Sequence, residues 1–182
     1  MRRWARRRPQ PLDELLVTVS RAADRSLLWL TLAAAGASFG GSRGRRAAEN
    51  GLLALAITSA TVNGPFKLLV NRRRPDPQPR LHRRLRTSSF PSGHSGSGFA
   101  FAVAASRELP EAGPLLLSLA ATVAYSRVYL GVHYPSDVAA GAVFGTAVGM
   151  AARSAARKLG RSEREVSQWG LEPRSFAARR NG

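Results

Sequence analysis

Residues 136–156 read SDVAAGAVFGTAVGMAARSAA, an apolar segment in which Gly141, Gly145 and Gly149 recur at every fourth position. On a helix, four-residue spacing brings the three glycines to one face, where they permit close approach of a second helix in lipid. The segment therefore favours a membrane-embedded helical protein. The alternative is a soluble helical bundle whose small residues simply pack well.

Four other apolar segments precede this one, at about 27–42, 47–70, 95–107 and 112–130. Alternating strand patterns are missing from them, and turns containing Gly, Arg or Pro separate them. Several are shorter than the roughly 20 apolar residues that one membrane span requires, and the mean hydropathy of −0.17 would suit a soluble bundle. Nearly all the hydrophilic residues, however, lie in the tails and loops. We predict an all-α fold, a multi-span transmembrane helical bundle with about five spans.

The two ends of the chain differ from its apolar middle. Residues 12–25 place apolar side chains at helical spacing with charged side chains on the other face, which indicates an amphipathic helix too short to cross a bilayer. We therefore expect a basic arm with a short interfacial helix at 1–26, a membrane-embedded domain at 27–156 and a basic polar tail at 157–182. The residues after the basic start are too mixed for a removable signal peptide.

The chain is strongly basic, with 28 Lys and Arg against 11 Asp and Glu and a formal net charge of +17 over 182 residues. Such a charge fits a nucleic acid, an anionic membrane surface or a phosphorylated substrate as partner. Basic residues would lie on both sides of a five-span arrangement, so the positive-inside rule gives no orientation. Because there is no cysteine, disulfides and thiolate metal sites are excluded.

Three separated segments carry residues that suit a phosphorylated ligand. Lys67, Arg74 and Arg127 supply fixed positive charges, and an arginine can grip phosphate oxygens with two parallel hydrogen bonds. The segment that contains Ser92 and Gly93 opens a helix, where Ser92 is a candidate cap and Gly93 lets an anion approach free amide groups. Together these groups can neutralise the charge that makes phosphate esters slow to react.

Two histidines and a carboxylate complete the set. We expect Asp137 in the first turn of a helix that begins near Pro135, from which its carboxylate can reach back to one nitrogen of His133. This contact fixes the tautomer and leaves the other nitrogen free to attack phosphorus, so His133 is the better nucleophile candidate. His94, in the first turn of its own helix, is then the acid that protonates the departing oxygen.

Taken one at a time, these residues have ordinary explanations. Lysines near helix ends often extend toward the membrane surface, an exposed histidine can follow a helix cap, and the helix dipole favours an acid near a helix start. Their joint occurrence in this order is far more specific. His82, in the loop rich in arginine and proline at about 71–91, has no partner acid nearby, and we interpret it as solvated or facing lipid headgroups.

The spacing resembles the three-part signature of the type 2 phosphatidic acid phosphatases, the lipid phosphate phosphatases related to vanadium haloperoxidases. All the signature positions are filled: Lys67-(six residues)-Arg74-Pro75, Pro91-Ser92-Gly93-His94, and Ser126-Arg127-(five residues)-His133-(three residues)-Asp137. The resemblance implies a phosphohistidine on His133, which Asp137 activates. It also implies that His94 protonates the leaving alkoxide and later activates water.

By the same resemblance, Lys67, Arg74, Ser92, Gly93 and Arg127 would bind the phosphoryl oxygens, and neither a metal nor another cofactor would take part. The expected enzyme is a metal-independent phosphatase of a membrane lipid such as phosphatidic acid, phosphatidylglycerol phosphate or a polyprenyl-linked phosphate or diphosphate. It would be a multi-pass protein of the plasma membrane, with the bilayer as partner and no nucleic acid. Bacterial members of the family typically have six spans, whereas we predict five.

Two other functions fit parts of the sequence. A nucleic-acid-binding protein would use the basic arms and would dissolve without detergent, but the apolar segments argue against it. A non-catalytic basic membrane scaffold would carry a degenerate phosphate site, but no signature position here is degenerate. The sequence does not specify the oligomeric state.

Overall fold

The computed structural model describes residues 10–75 and 87–168, and within these two ranges all regular secondary structure is helical. The predicted all-α fold is confirmed. In chain order the helices are α1 Gln10–Ala22, α2 Leu27–Phe39, α3 Gly41–Thr61, α4 Lys67–Leu69, α5 Gly93–Ser106, α6 Gly113–Tyr129 and α7 Pro135–Gln168. A π-helical turn, Val62–Phe66, joins α3 to α4, and 3₁₀ turns lie at Asp24–Ser26 and Pro110–Ala112.

Helices α5 and α7 pack backbone to backbone. A β-carbon on Gly145 would lie 2.1 Å from the carbonyl oxygen of Gly96, and one on Gly141 would lie 2.4 Å from that of Ser92. Gly149 is similarly close to α5 one turn further on. The glycines spaced by four residues therefore form a close helix contact, as predicted, and this contact fixes the beginning of α5 beside the beginning of α7.

The central helix is α5, which also contacts α3 and α6. Several of its buried side chains are alanines, so neighbouring helices can approach it closely. An aromatic pair fills the space toward α2, with the rings of Trp29 and Phe101 5.4 Å apart between centroids. Phe101 in turn lies against Gly51 of α3, where a β-carbon would come within 2.8 Å of the ring.

The α-helical hydrogen bonding of α3 is interrupted near Pro65, because proline has no N–H to donate. Gly64 departs from helical geometry with φ −93° and ψ −106°. The chain passes this point in the wide π-helical turn before α4 begins at Lys67. Across the turn, Lys67 Nζ donates a hydrogen bond to Asn63 Oδ1 at 2.7 Å.

Large apolar side chains are exposed on the outside of the helices. Leu68 is 84% exposed, and Leu115 and Val143 are each 72% exposed. Among the described residues one helical stretch, Gly41–Leu69, is long and apolar enough to cross a membrane, and only 22% of its most apolar window is buried in the protein. Exposed apolar surface of this kind is typical of a protein that lies in lipid. The number of spans stays a prediction.

The short amphipathic helix expected at 12–25 is present as α1, which packs on α6 but ends at Ala22, because the chain turns at Asp24–Ser26. Tyr129 Oη donates a hydrogen bond to Asp13 Oδ1 at 2.7 Å, and Leu16 is buried. At the other end of the chain, α7 continues to Gln168, so the first part of the expected polar tail is helical. His82 lies outside the described residues.

Candidate active site

The three predicted segments meet around one cavity of about 180 Å³. Six of the eight residues predicted from the sequence line it: Lys67, Arg74, Gly93, His94, Arg127 and His133. The other two, Ser92 and Asp137, are fully buried next to lining residues. The rest of the wall comes from the turn before α2 and from α2, from α3 and the π-helical turn, and from α5 and the loop before it: Ala23, Arg25, Ser26, Trp29, Ser59, Asn63, Thr87 and Ser97.

The imidazole of His133 is buried between Arg74 and Asp137. Its Nε2 lies 3.0 Å from Nη1 of Arg74. A guanidinium can only donate, so Nε2 accepts this hydrogen bond with its lone pair and the ring proton resides on Nδ1. Nδ1 lies 3.6 Å from Oδ2 of Asp137, beyond hydrogen-bonding distance but on the side of the ring expected from the sequence. A nucleophilic Nε2 requires this tautomer.

Asp137 receives its closest hydrogen bonds from groups other than His133. Arg72 Nη1 donates to Oδ1 at 2.7 Å, and the N–H of Tyr134 donates to Oδ2 at 2.9 Å. Arg72 also donates to Ser136 Oγ at 2.8 Å, and its guanidinium lies 4.3 Å above the ring of Tyr134. Arg72 therefore neutralises the buried carboxylate and holds the turn that carries His133.

Positive charge surrounds the buried imidazole. Burial, together with Arg74 and Arg127, lowers the pKa of His133 to about 2. Burial also lowers the pKa of Arg74, while Asp137 acts in the opposite direction. Near neutral pH the His133 ring is therefore uncharged. This agrees with the hydrogen bond from Arg74, which Nε2 can accept only when it carries no proton.

We expect the neutral His133 to make the folded protein sensitive to acid. An unfolded histidine binds a proton below about pH 6.5, whereas folded His133 stays neutral down to about 2, so unfolding takes up a proton between these values. The contribution of neutral His133 to the free energy of unfolding is fully present above about pH 6.5. Below this pH the free energy of unfolding falls by about 1.4 kcal/mol per pH unit. Denaturant unfolding in detergent, followed by tryptophan fluorescence at several pH values, measures this slope.

His133→Asn should lose this component of the slope. His82→Asn, which removes a histidine of the arginine-rich loop, should keep it. Equal acid slopes in wild type and His133→Asn would contradict the neutral state assigned to the buried ring.

The first turn of α5 is tied to the first turn of α7. Ser92 Oγ accepts a hydrogen bond from the N–H of Ser95 at 3.4 Å, so the predicted helix cap is confirmed. The N–H of Ser92 donates to the carbonyl of Asp137 at 2.9 Å. At Gly93 a β-carbon would lie 2.9 Å from Oδ1 of Asn63, so a larger residue here would displace the Asn63 side chain, which lies on the π-helical turn.

The opposite side of the cavity holds His94 and Arg127. His94 Nε2 lies 2.9 Å from Oδ1 of Asp24. Arg127 is 1% exposed; its Nη1 donates to Ser20 Oγ and lies 3.9 Å from the same oxygen of Asp24. The Nε of Arg127 has no hydrogen-bond partner among the described residues. A buried guanidinium with an unused donor beside a cavity is suited to an anionic ligand.

The residues that contact the predicted set but were not predicted from the sequence include Asn63, Arg72 and Asp24. Asn63 carried a readable signal, because it precedes Lys67 by four residues and so shares its helix face. Arg72 belongs to a run of arginines whose members the sequence alone does not distinguish. Asp24 and His94 are 70 positions apart, and no local pattern connects them.

The cavity combines the three cationic side chains predicted from the sequence with an imidazole whose Nε2 carries a lone pair. Lys67, Arg74 and Arg127 can together neutralise a tetrahedral dianion, and the first turn of α5 adds backbone donors at Gly93. In the described part of the chain, no group of three His, Cys, Asp or Glu side chains is arranged to hold a metal ion. The attraction of this cavity for an anion comes from its fixed charges.

Several known proteins are similar to this chain. Residues 50–161 match the family model of the PAP2 superfamily. Over 134 residues the chain is 37% identical to the decaprenylphosphoryl-5-phosphoribose phosphatase of Mycobacterium tuberculosis, a match that covers 72% of this chain and 73% of that protein. The chain is also 44% identical over 57 residues to the lipid A 1-phosphatase of Rhizobium etli. This shorter match covers 31% of this chain and 25% of that protein.

The fold is also similar to a crystal structure of a transmembrane PAP2-type phosphatidylglycerolphosphate phosphatase from Bacillus subtilis. The TM-score is 0.65 at 25% sequence identity, and the similarity covers 83% of this chain and 79% of the other. The residues that match the family model make up more than half of the chain. They include every signature position from Lys67 to Asp137. The chain therefore belongs to the PAP2 superfamily.

Proposed function

We propose that this protein is a membrane-bound phosphatase that hydrolyses the phosphate monoester of a lipid. The observation that carries the proposal is the 3.0 Å contact with Arg74 that leaves a lone pair on Nε2 of His133, beside a cavity lined by Lys67, Arg74 and Arg127. The names of the three relatives, each a phosphatase of a phosphorylated lipid, support the same reaction class.

In the first step, the phosphoryl group of the substrate takes over the donor groups of Lys67, Arg74 and Arg127, and Arg74 releases Nε2 of His133. Nε2 attacks phosphorus, so that an N–P bond forms and the ester P–O bond breaks. His94 gives its proton to the leaving alkoxide. Asp137 lies beside Nδ1 and stabilises the positive charge that develops on the ring.

In the second step, His94 takes a proton from a water molecule that attacks the phosphohistidine. The N–P bond breaks, inorganic phosphate leaves, and both histidines return to their starting states. Gly93 contributes a backbone donor to the phosphoryl oxygens. Ser92 is buried and caps α5, so it supports this donor through the helix instead of through direct contact.

Among phosphorylated lipids, we favour one whose phosphate is carried on a polar headgroup. Ser59 Oγ and Ser97 Oγ lie 2.9 Å apart on the cavity wall, near Asn63. These side chains offer hydrogen bonds to the hydroxyl groups of a sugar or glycerol unit. The names decaprenylphosphoryl-5-phosphoribose phosphatase and phosphatidylglycerolphosphate phosphatase describe substrates of this chemistry for two of the relatives.

The proposed location is the plasma membrane, as a multi-pass protein with its substrate in the surrounding bilayer. The exposed leucines on the outside of the helices and the transmembrane neighbour support a place in a membrane. Extraction that requires detergent would agree with this location. Full solubility without detergent, together with salt-dependent binding to DNA, would favour a nucleic-acid-binding protein instead.

Release of inorganic phosphate from a panel of lipids tests the reaction. Purified protein in detergent should release phosphate from phosphatidylglycerol phosphate or from a polyprenyl-linked sugar phosphate at least about 10³-fold faster than a protein-free control. Addition of a chelator should leave the rate unchanged, because the fixed charges of Lys67, Arg74 and Arg127 neutralise the phosphate. Absence of phosphate release from every lipid of the panel would contradict the proposed function.

A further inference from the structure

The turn between α1 and α2, Asp24–Ser26, places a carboxylate at the edge of the cavity. Oδ1 of Asp24 lies 2.9 Å from Nε2 of His94 and 3.9 Å from Nη1 of Arg127. Ser20, on the last turn of α1, accepts a hydrogen bond from the same nitrogen of Arg127. Residues at the end of α1 and in the turn after it therefore contact His94 and Arg127. The proposed function assigns His94 to the leaving oxygen and Arg127 to the phosphoryl oxygens.

The backbone of this turn is unusual. Arg25 and Ser26 both have left-handed conformations, with φ of 52° and 62°, although neither is glycine. Each such residue has a conformational cost, and strained backbone of this kind persists only where surrounding contacts hold it. The contacts of Asp24 with His94 and Arg127 are among those that hold this turn.

The charges near His94 explain what a carboxylate contributes here. An acid catalyst must be protonated before it can release a proton, but Lys67 and Arg127 line the same cavity and repel a positively charged imidazole. Asp24 lies within 4 Å of both His94 and Arg127 and offsets this repulsion. Its hydrogen bond to Nε2 also sets the orientation of the ring, which leaves Nδ1 to carry the proton that is transferred.

We propose that Asp24 is a positioning residue that orients His94 and favours its protonated form, so that His94 can protonate the leaving alkoxide. The inference rests on the proposed function. In the step concerned, the P–O bond to the lipid breaks as the N–P bond to His133 forms, and the proton of His94 passes to the ester oxygen. Asp24 does not contact the reacting atoms and acts only through His94.

A comparison of two leaving groups tests this role. A lipid alkoxide is a poor leaving group that needs a proton, whereas p-nitrophenolate leaves without one. We expect Asp24→Asn to reduce kcat/KM by about 10- to 100-fold with a lipid phosphate and by less than about threefold with p-nitrophenyl phosphate. The ratio of the two rates within one preparation does not depend on how much of the variant is folded.

Two further variants sharpen the result. Asp13→Asn makes the same chemical change in α1 at a residue that bonds Tyr129 outside the cavity, and it should leave the ratio unchanged. Asp24→Glu keeps the charge and should restore part of the loss with the lipid substrate. Equal losses with both substrates, or tighter substrate binding in Asp24→Asn at an unchanged kcat, would overturn the role of Asp24. Failure of the wild type to hydrolyse either substrate would instead contradict the proposed function.

Discussion

The His133→Ala variant is expected to release phosphate at least about 10⁴-fold more slowly than the wild type. The variant lacks the only ring nitrogen of the proposed mechanism that forms a bond to phosphorus, and the remaining cations bind the substrate without providing another nucleophile. Steady-state phosphate release from a lipid phosphate in detergent measures the loss. Substrate binding, followed by displacement of a fluorescent lipid, should change far less than the rate.

Labelling separates a nucleophile from a merely structural histidine. With radioactive p-nitrophenyl phosphate, His94→Gln should accumulate labelled protein, because the leaving group needs no acid but the water has lost its base. His133→Ala should never become labelled. His82→Ala serves as the matched control among the three histidines and should turn over within about twofold of the wild type. Normal turnover or labelling of His133→Ala would remove His133 from the nucleophile position.

The second large effect concerns folding. Gly145→Val is expected to lower the free energy of unfolding by at least about 3 kcal/mol, since overpacking typically costs about 1–3 kcal/mol even where side chains can adjust. Here the added β-carbon would meet a backbone oxygen, that of Gly96, at 2.1 Å, and a backbone cannot rotate away. Helices α5 and α7 would have to separate. The yield of monodisperse protein in detergent and its thermal midpoint measure the effect.

Gly36→Ala provides the matched control for this substitution. Gly36 also lies inside a helix, but its β-carbon would meet its nearest neighbour, the oxygen of Gly44, at an ordinary 3.5 Å. Because alanine favours a helix by about 1 kcal/mol over glycine, Gly36→Ala should be neutral or slightly stabilising. Gly145→Ala should already be destabilised. Equal stability of Gly36→Ala and Gly145→Ala would contradict the close contact between α5 and α7.

Much of this molecule could be predicted from local patterns. The glycines at 141, 145 and 149 indicated one face of a helix, and the structure places that face against the α5 backbone. The turn chemistry around Ser92 predicted a helix start, and Ser92 caps α5. Such features depend on residues within one or two helical turns, so the sequence contains all the information that they require.

The contacts that were not predicted depend on tertiary structure. Asp137 was expected to bond His133, yet its shortest hydrogen bond comes from Arg72, which the sequence does not distinguish from Arg73. Asp24 was expected on the polar face of an amphipathic helix, but it lies in the turn after α1, and it contacts His94 because this turn packs against α5. Tertiary packing determines which of several similar side chains forms a contact with a residue far away in the sequence. Single-residue propensities contain no information about such contacts.

The wide turn at Val62–Phe66 sets the helical phase of the residues that follow it. An α-helix advances by about 100° per residue, so a chain with one residue fewer in this segment would point a neighbour of Lys67, instead of Lys67 itself, toward Asn63 and Gly93. The identity of the cation at this place in the cavity is thus encoded by chain length as much as by residue type. In alignments of distant relatives, a gap placed between Asn63 and Lys67 would pair residues that do not occupy the same place in space.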